Sequence, residues 1–275
     1  MSFNFNDLIE PDENKTLVVD ALNLAFRWKH QGRTDFRHEY VATVQSLARS
    51  YKCDRIIITA DKGSSEYRKQ ILPSYKQNRK DKFAQQSEAE EEAFKMFIQE
   101  YENTLELLEK QYTLLRGKGV EADDIAAYVV KHREKFDIGD IVLVSSDKDW
   151  DLLIQEGVMR FSYVTRKEVT IDNWSDHYNI PQEKYACYKC LIGDKGDNIP
   201  GISGIGPKRA EGLLEQYGSA YDIYDSLPID SKYKHIQELN SNPEVILKNY
   251  ELMDLLTHCE EAIGNGIPEI ERRLQ

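Results

Sequence analysis

Acidic side chains follow three apolar, strand-like runs of this 275-residue chain, and three more acids open a predicted helix. Asp20, Asp61 and Asp147 each stand at the end of such a run, Asp149 follows two residues later, and the helix start is residues 121–124. A single Asp after a strand is usually a helix N-cap, and acids at a helix start are favoured by its dipole. Several such groups at one place would repel each other strongly unless cations neutralised them.

The candidate ligands at these positions are all carboxylate oxygens, with no neighbouring His or Cys. Oxygen-only ligands suit hard cations such as Mg²⁺ or Mn²⁺. Two such ions about 4 Å apart can clamp the attacking and leaving oxygens of a phosphoryl transfer. The acidic pattern therefore predicts a two-metal phosphoryl-transfer site.

The elements that must position these acids follow from the apolar patterning. Continuous Val, Ile and Leu runs separated by helices predict an α/β fold with a mainly parallel central sheet flanked by helices. Ligands of such sheets collect beyond the carboxyl ends of the strands, where the acids fall. The predicted strands are 16–20, 55–61 and 140–147, with an edge pair at 158–163 and 168–171, and the predicted helices are 36–51, 85–110 and one beginning near Glu121.

The composition changes between residues 62 and 82, where seven Lys and Arg face two acids, two tyrosines are interleaved and Phe83 follows. Cations with aromatics suit phosphate contact and base stacking on single-stranded nucleic acid. In this interpretation Tyr75 stacks on an unpaired base. The alternative is a solvated basic helix.

A glycine-rich segment, Gly-Ile-Ser-Gly-Ile-Gly-Pro-Lys at 201–208, lies in the helical, loop-rich region that begins near residue 181. It predicts a hairpin between two helices. Gly204 and Gly206 permit close approach of the backbone to a phosphate. Lys208 and Arg209 add positive charge that can contact phosphates but does not distinguish between bases. Binding should therefore be independent of the nucleic-acid sequence. A plain helix–turn–helix corner is the alternative.

The net charge of −12 argues against a nucleic-acid partner only if the charges are evenly spread. Four cysteines are too few for a disulfide scaffold, and the pair at 187 and 190 predicts packing rather than zinc or redox chemistry. There is no apolar run of membrane-spanning length, and residues 1–13 do not form a signal peptide pattern. The expectation is a monomer of the cytoplasm, without membrane contact.

Taken in order, five acidic motifs and the hairpin carry a resemblance to a known family. They are Asp20, Asp61, the 121–124 group, Asp147-Lys148-Asp149 and the segment 193–198. The chain resembles the 5′-nucleases of the flap endonuclease superfamily, more narrowly the bacteriophage 5′–3′ exonucleases/flap endonucleases of the T-five type, and is similar to the 5′-nuclease domain of bacterial DNA polymerase I. The resemblance implies a PIN-like core over 1–180 with a helical arch at about 62–95, and a helix–hairpin–helix subdomain over 181–275.

The resemblance also implies roles for individual residues. The acids implied around a first divalent ion are Asp20, Asp61, Glu121, Asp123 and Asp124, and those around a second are Asp147, Asp149, Asp194 and Asp197. Lys76 and Arg79 correspond to residues that reach the scissile phosphate and act in catalysis with these acids, and Arg27 and Lys80 to substrate contacts. A potassium ion at the carbonyls of 201–206 is a further implication.

The expected activity is Mg²⁺-dependent phosphodiester hydrolysis near single-strand/duplex junctions, as 5′–3′ exonuclease and flap endonuclease in DNA replication or primer removal. The expected partners are branched, nicked or 5′-flap DNA, RNA–DNA hybrid with RNase H-like cleavage of primers, and a single-strand-binding protein. Two alternatives stay open. A PIN-like ribonuclease would share the acidic pocket, whereas a non-catalytic junction-binding protein would leave the crowded carboxylates unexplained.

Overall fold

The structure is a computed structural model that describes the backbone of residues 12–275 and the side chains of residues 14–275. The expectation about residues 1–13 therefore lies outside the described side chains. Among the described residues, no helix is both long and apolar enough to cross a bilayer.

A six-stranded sheet forms the centre of the fold, in the order β3-β2-β1-β4-β5-β6. Neighbouring strands are parallel from β3 to β5, and the edge strand β6 is antiparallel to β5, as the sequence predicts. The strands are β1 (Asp12–Asp20), β2 (Cys53–Lys62), β3 (Thr113–Lys118), β4 (Asp140–Val144), β5 (Val158–Phe161) and β6 (Glu168–Val169), and a separate two-stranded ribbon comprises β7 (Gly193–Asp194) and β8 (Ile199–Pro200).

Helices cover both faces of the sheet and form most of the chain after residue 181. The α-helices are α1 (Ala21–His30), α2 (Arg37–Tyr51), α3 (Glu66–Ile71), α4 (Gln77–Phe83), α5 (Glu88–Glu109), α6 (Ala122–Lys131), α7 (Tyr185–Ile192), α8 (Pro207–Tyr217), α9 (Ala220–Asp225), α10 (Lys234–Ser241), α11 (Glu244–Met253), α12 (Leu255–Ile263) and α13 (Ile267–Leu274). Short 3₁₀ helices occur at Arg133–Phe136, Lys148–Leu153, Trp174–Asp176, Gln182–Lys184 and Gly264–Gly266.

In the central strand β1, residues 17–19 are apolar without interruption. Leu17 and Val19 pack into the core on one face of the sheet, with residues of α1, α2 and α5. Val18 points to the other face, into a core that includes most of α6. Both faces are buried at residues 17–19, so polar and apolar side chains do not alternate there, and the polar Asp20 follows at the end of the strand.

The predicted helices are present with small shifts at their ends. The helix predicted over 85–110 is α5, which begins after Ser87 because the Ser87 and Glu90 side chains form a capping box. α6 begins directly after Glu121, so the acids of 121–124 occupy its N-terminus as predicted.

The region after residue 181 contains a separate apolar core, built from α7 to α11. Helices α7 and α8 flank the glycine-rich hairpin, and the unpredicted ribbon β7–β8 leads directly into it. The ribbon strands approach so closely that a Cβ on Gly201 would lie 2.2 Å from the Ile192 carbonyl oxygen. The last two helices return to the sheet, where Leu255 and Leu274 pack into the same core as α6.

The four cysteines are all buried, and no disulfide joins two of them within the described residues. The Cys190 thiol donates to the backbone carbonyl of Cys187 in α7. This geometry fits the predicted packing role.

Candidate active site

A cleft of about 120 Å³ opens at the carboxyl edge of the sheet, beyond the ends of β1, β2 and β4. Asp194 lies on an adjoining small cavity that shares three acids with the cleft. Acids from distant parts of the chain therefore converge at one place. Those that line the main cleft are Asp20, Asp61, Glu121, Asp123, Asp147, Asp149 and Asp197.

Ser145, just beyond β4, fixes the positions of two of these acids. Its hydroxyl donates to Asp20 Oδ2 at 2.8 Å and accepts from the backbone N–H of Asp147 at 3.1 Å. Asp61 is held separately, because its Oδ1 accepts from the Ala122 N–H at 2.6 Å. Short backbone and hydroxyl contacts thus tie the ends of β1 and β4 to each other, and the end of β2 to the start of α6.

Within residues 14–275, four of the acids form no ion pair with a Lys or Arg, and the pKa of each is raised. Burial and the nearby Asp61 raise the pKa of Asp20 to about 8. Burial also raises the pKa values of Asp61, Asp123 and Asp147, and neighbouring carboxylates add to each increase. A carboxylate pocket with raised pKa values is one in which positive charge is lacking.

Lys76 and Arg79 supply positive charge on the opposite wall of the cleft. Lys76 Nζ lies 2.8 Å from Glu121 Oε1 and 3.5 Å from Asp197 Oδ2, and Arg79 donates to Asp197. Burial opposes ionisation of Glu121, but Lys76 and Arg68 together lower the pKa of this carboxyl. These cations neutralise only one side of the acidic cluster.

The backbone of Lys76 adopts a left-handed conformation, with φ of 54°. For a residue other than glycine this conformation costs roughly 1–2 kcal/mol. A hydrogen bond of 2.9 Å from the Lys76 N–H to the Asp197 carbonyl holds it in place. The turn before α4 is thus attached to the loop of the helical subdomain that carries Asp197.

The predicted stacking of Tyr75 on an unpaired base does not agree with the structure. The ring is only 3% exposed and packs with Leu72, Ile199 and Leu252. Its hydroxyl lies 2.8 Å from Glu121 Oε2 and 3.0 Å from Asp197 Oδ2. Tyr75 therefore positions two carboxylates, and its aromatic face is not available to a base.

Asp124 lies behind the cleft, in a buried ion pair that the sequence did not reveal. Both of its carboxylate oxygens accept from the Arg68 guanidinium at 2.7 Å. Oxygens of Glu121, Asp123 and Asp124 nevertheless lie within 4.8 Å of one another, which is compact enough for one ion. The ligand role of Asp124 stays a prediction, and Arg68 would have to share that carboxylate with a metal.

Lys189 is the second buried cation that sequence reasoning missed. It extends from α7 to Asp149, and its Nζ lies 3.4 Å from Asp194 Oδ2. Burial opposes ionisation of Asp194, but Lys189 lowers the pKa of this carboxyl. Lys189 thus lies between Asp149 and Asp194, the two acids for which the sequence predicts a role at a second metal ion.

We expect Lys189→Met to lower the melting temperature of the metal-free protein by about 5 °C or more. Loss of one partner of a buried ion pair costs about 3–5 kcal/mol, and 1 kcal/mol corresponds to roughly 2–4 °C in a chain of this size. Millimolar Mg²⁺ should restore most of the loss, because a divalent ion can replace the missing charge. Differential scanning calorimetry in EDTA and in Mg²⁺ measures both effects.

The matched control is Lys195→Met, which removes an exposed lysine from the neighbouring 193–198 loop. Its melting temperature should stay close to the original value under both conditions. An equal loss for Lys189→Met with and without Mg²⁺ would show that Lys189 contributes packing alone.

The donor set of the cleft fits divalent cations. All candidate ligands are carboxylate oxygens, and the acids with raised pKa values mark where protein cations are lacking. Asp20, Asp61, Asp123 and Asp147 would therefore hold such ions most directly. Glu121 and Asp197 can contribute once Lys76 and Arg79 turn toward a phosphate.

The cations outside the cleft occupy two further surfaces. Arg27 donates to the Tyr163 hydroxyl, and its guanidinium carbon lies 4.5 Å from the centroid of that ring. Lys80 lines a neighbouring cavity of about 340 Å³, which shares Lys76 and Arg79 with the cleft. The candidate substrate contacts Lys76, Arg79 and Lys80 thus line connected space, whereas Arg27 lies to one side.

In the hairpin between α7 and α8, the glycines leave the backbone without side chains at positions 204 and 206, as the sequence predicts. Gly204 has a φ of +75°, a conformation that favours glycine. A Cβ on Gly206 would meet no atom within 4 Å, so packing does not require a glycine there. Lys208 and Arg209 begin α8, and Arg209 donates to the Gly204 carbonyl oxygen.

Comparisons with known proteins place this site among nucleases. Residues 15–179 match the model of the 5′–3′ exonuclease N-terminal resolvase-like domain, and residues 180–266 match that of the 5′–3′ exonuclease C-terminal SAM fold. The chain is 39% identical to the flap endonuclease of Escherichia phage T5 over 96% of its own length and 93% of the relative. It is 30% identical to DNA polymerase I of Caldicellulosiruptor bescii over 70% of this chain and 22% of that protein.

The fold agrees with a solved structure of similar sequence. The crystal structure of bacteriophage T5 D15 flap endonuclease, a pseudo-enzyme–product complex with DNA and metal ions, superposes with a TM-score of 0.89 at 37% identity. The match covers 94% of this chain and 99% of that one. The predicted α/β fold with a helical C-terminal subdomain is therefore confirmed.

Proposed function

Because this chain belongs to the 5′–3′ exonuclease family, we propose that its acidic cleft hydrolyses phosphodiesters of DNA at single-strand/duplex junctions, as 5′–3′ exonuclease and flap endonuclease. The observation that carries the proposal is the convergence of seven acids with Lys76 and Arg79 in one cleft. A protein that only binds DNA does not require so many carboxylates in one cleft, and neither does a packed core.

We propose Mg²⁺, with Mn²⁺ as a substitute, as the resident cation. When bound, such ions supply charge that polarises the phosphate and lowers the pKa of a water nucleophile. The protein contributes the fixed geometry, since Ser145 and the start of α6 hold Asp20, Asp61 and Asp147 before substrate arrives. The division of the nine acids between two ions stays part of the proposal.

Lys76 and Arg79 bind the scissile phosphate in this proposal. Both are paired with carboxylates in the DNA-free protein, and cations entering the cleft would free them. Their ammonium and guanidinium groups then stabilise the negative charge that develops on the equatorial phosphate oxygens. Substrate binding and cation binding should favour each other. A phosphate that binds Lys76 and Arg79 frees carboxylates for a divalent ion, and a divalent ion that binds these carboxylates frees Lys76 and Arg79 for a phosphate.

The 340 Å³ cavity beside Lys76 and Arg79 offers a path for a single-stranded 5′ end. Helices α3 and α4 and the first turns of α5 form the predicted arch region over 62–95. Lys80 would contact phosphates in this path, and Arg27 would contact the strand on the other side of the cleft. The predicted boundary near residue 180 is supported by the two family models, which meet there.

The helical subdomain holds the duplex arm through its hairpin, in our proposal. Gly204 and Gly206 allow the backbone to approach a phosphate, while Lys208 and Arg209 add charge. A potassium ion at the hairpin carbonyls would compete with Arg209 for the Gly204 oxygen. Duplex affinity measured in K⁺ and in a large organic cation of equal concentration tests that site.

We further propose that the chain acts as a monomer in the cytoplasm of a host cell during DNA replication or primer removal. Cleavage of RNA primers on RNA–DNA hybrid and contact with a single-strand-binding protein belong to the same proposal. The helix–hairpin–helix element favours these roles over a PIN-like ribonuclease, because it suits duplex backbone rather than free RNA.

One cleavage experiment tests the function. End-labelled flap, nicked, gapped and RNA-primed substrates are incubated with the protein in Mg²⁺, in Mn²⁺ and in EDTA. We expect cleavage near the junction of flap and nicked DNA only with a divalent ion. Intact branched DNA in Mg²⁺ would refute the proposal, and preferred cleavage of unpaired RNA would favour the ribonuclease.

A further inference from the structure

A cavity of about 310 Å³ adjoins the chain segment that carries Asp147. Ser146 and Lys148 line this cavity, whereas Asp147 between them lines the acidic cleft. The cavity and the cleft share no lining residue, so the segment separates them. Sites for small molecules have volumes of roughly 300–1,000 Å³, and this cavity is therefore large enough for a small ligand of its own.

The lining of the cavity carries a net positive charge. Lys148 and Lys167 line it and are exposed, and neither forms an ion pair within residues 14–275. Asp176 is the acid in the lining. A third cation, Arg160, belongs to the wall and is paired with Asp151, which does not line the cavity. The two lysines can therefore hold an anion.

Two serine hydroxyls in the wall leave a hydrogen-bond donor unused. Ser146 Oγ and Ser162 Oγ lie 3.1 Å apart. Each oxygen also accepts a backbone N–H, Ser146 from Val164 at 3.2 Å and Ser162 from Thr165 at 3.3 Å. Whichever hydroxyl donates to the other, one O–H of the pair has no acceptor among the described residues.

The buried guanidinium of Arg160 has unused donors as well. Its Nε and Nη2 donate to Asp151, and its Nη1 donates to the Ser145 carbonyl oxygen at 3.0 Å. Within the described residues, these bonds use three of the five N–H groups of the side chain. Arg160 is only 4% exposed, and buried donors without an acceptor are costly. A ligand with several acceptor oxygens would satisfy them.

These groups together select the chemical class of the ligand. Ammonium groups and unused O–H and N–H donors suit a phosphate, whose oxygens accept strong, charge-assisted hydrogen bonds. A phosphate monoester carries roughly 1.5 to 2 negative charges at pH 7, which matches two lysines. The phosphate would fill only part of the cavity, and the half-buried His177 and Tyr178 line the same space. The remaining room suits a nucleoside.

We propose that this cavity binds a nucleoside 5′-monophosphate, the kind of molecule that exonuclease action releases. The choice of ligand rests on the proposed function. Lys148 and Lys167 bind the phosphate together with the unused hydroxyl of the serine pair, and the nucleoside lies beside His177. Because the cavity shares no lining residue with the cleft, a nucleotide bound there leaves the acids and Lys76 unoccupied.

The test is an NMR titration of the ¹⁵N-labelled protein in EDTA, without DNA. Thymidine 5′-monophosphate should shift the amide signals of Val164 and Thr165, whose N–H groups bond to the serine hydroxyls. The amide of Ala122, which bonds to Asp61 in the cleft, should not shift. Thymidine and inorganic phosphate should each bind at least about tenfold more weakly than the nucleotide, because each lacks part of the ligand.

Variants of Lys167 test the phosphate contact. Lys167→Ala should weaken nucleotide binding about tenfold or more, since it removes a charge-assisted hydrogen bond. Lys167→Arg keeps the charge and should retain most of the affinity. The matched control is Lys110→Ala, which removes an exposed lysine that precedes β3, at the edge of the sheet opposite β6. The control should bind the nucleotide as the original protein does.

Three results would overturn the inference. Thymidine or inorganic phosphate could bind as tightly as the nucleotide, or the nucleotide could shift only amides of the cleft. Alternatively, Lys167→Ala could reduce the salt slope of flap-DNA binding by about 1, and the occupant would then be a DNA strand.

Cleavage of flap DNA by the original protein is measured separately in Mg²⁺. Normal cleavage without nucleotide binding at the cavity would refute this inference alone. Nucleotide binding at the cavity without cleavage of any substrate would support the site and refute the proposed function.

Discussion

Lys76→Ala is expected to lower the cleavage rate at saturating DNA by about 10²–10³-fold, while the dissociation constant of the DNA rises by less than about tenfold. The ammonium group lies in the cleft, 2.8 Å from Glu121, on a buried stem with 15% of the side chain exposed. In the proposed mechanism this charge lies where negative charge grows on the phosphate during the reaction. Single-turnover cleavage of flap DNA gives the rate, and anisotropy in EDTA gives the affinity.

Lys80→Ala is the matched control for Lys76. Lys80 is exposed on α4, lines the neighbouring cavity and forms no ion pair within the described side chains. Its removal should weaken binding and reduce the salt slope, with little change in the saturated rate. If Lys76→Ala reduced rate and affinity by equal factors, Lys76 would be an electrostatic tether and not a catalytic group.

Asp123→Asn is expected to lower the cleavage rate at least about 10³-fold and, at the same time, to stabilise the protein without metal. Asp123 lines both the cleft and the adjoining cavity, and burial together with Asp124 and Glu121 raises its pKa well above the usual range. Asn keeps the Oδ1 that accepts from the Asp124 N–H at 2.9 Å. The substitution thus removes repulsion while preserving the local hydrogen bond.

Two melting curves measure the stability effect. In EDTA the variant should melt a few degrees above the original protein, because each kcal/mol corresponds to about 2–4 °C. In Mg²⁺ the original protein should gain more than the variant, since ligand binding stabilises by RT ln(1 + [L]/Kd). Asp172→Asn, an exposed acid outside the cleft, should show neither effect. A variant that gains as much from Mg²⁺ as the original protein would remove Asp123 from the ligand set.

The parts of the fold that sequence predicted well are those with a strong repeating pattern. The runs ending at Asp20 and Asp61 are apolar because both faces of the sheet are covered, and the stripe of α5 repeats at helical spacing. The convergence of acids followed from the same pattern, since parallel strands share one carboxyl edge. The ribbon β7–β8 has two residues in each strand, so it has no periodicity to detect.

Buried cations were missed for a different reason. Lys189 and Arg68 occupy ordinary helical positions, and only the folded chain brings them to Asp149 and Asp124. A Lys inside the otherwise buried α7, five residues before Asp194, was the available signal. Tyr75 was misjudged because a mixture of aromatic and basic residues does not tell which rings face inward.

The ribbon β7–β8 also fixes a length within the molecule. It joins Asp194 to the hairpin without a flexible linker, and Asn198 bonds across to the Ser74 carbonyl at 2.7 Å. In the proposed function, this connection fixes the distance between the duplex that the hairpin would hold and the phosphate in the cleft. We therefore expect the incision to lie at a set distance from the branch point, whatever the length of the free tail.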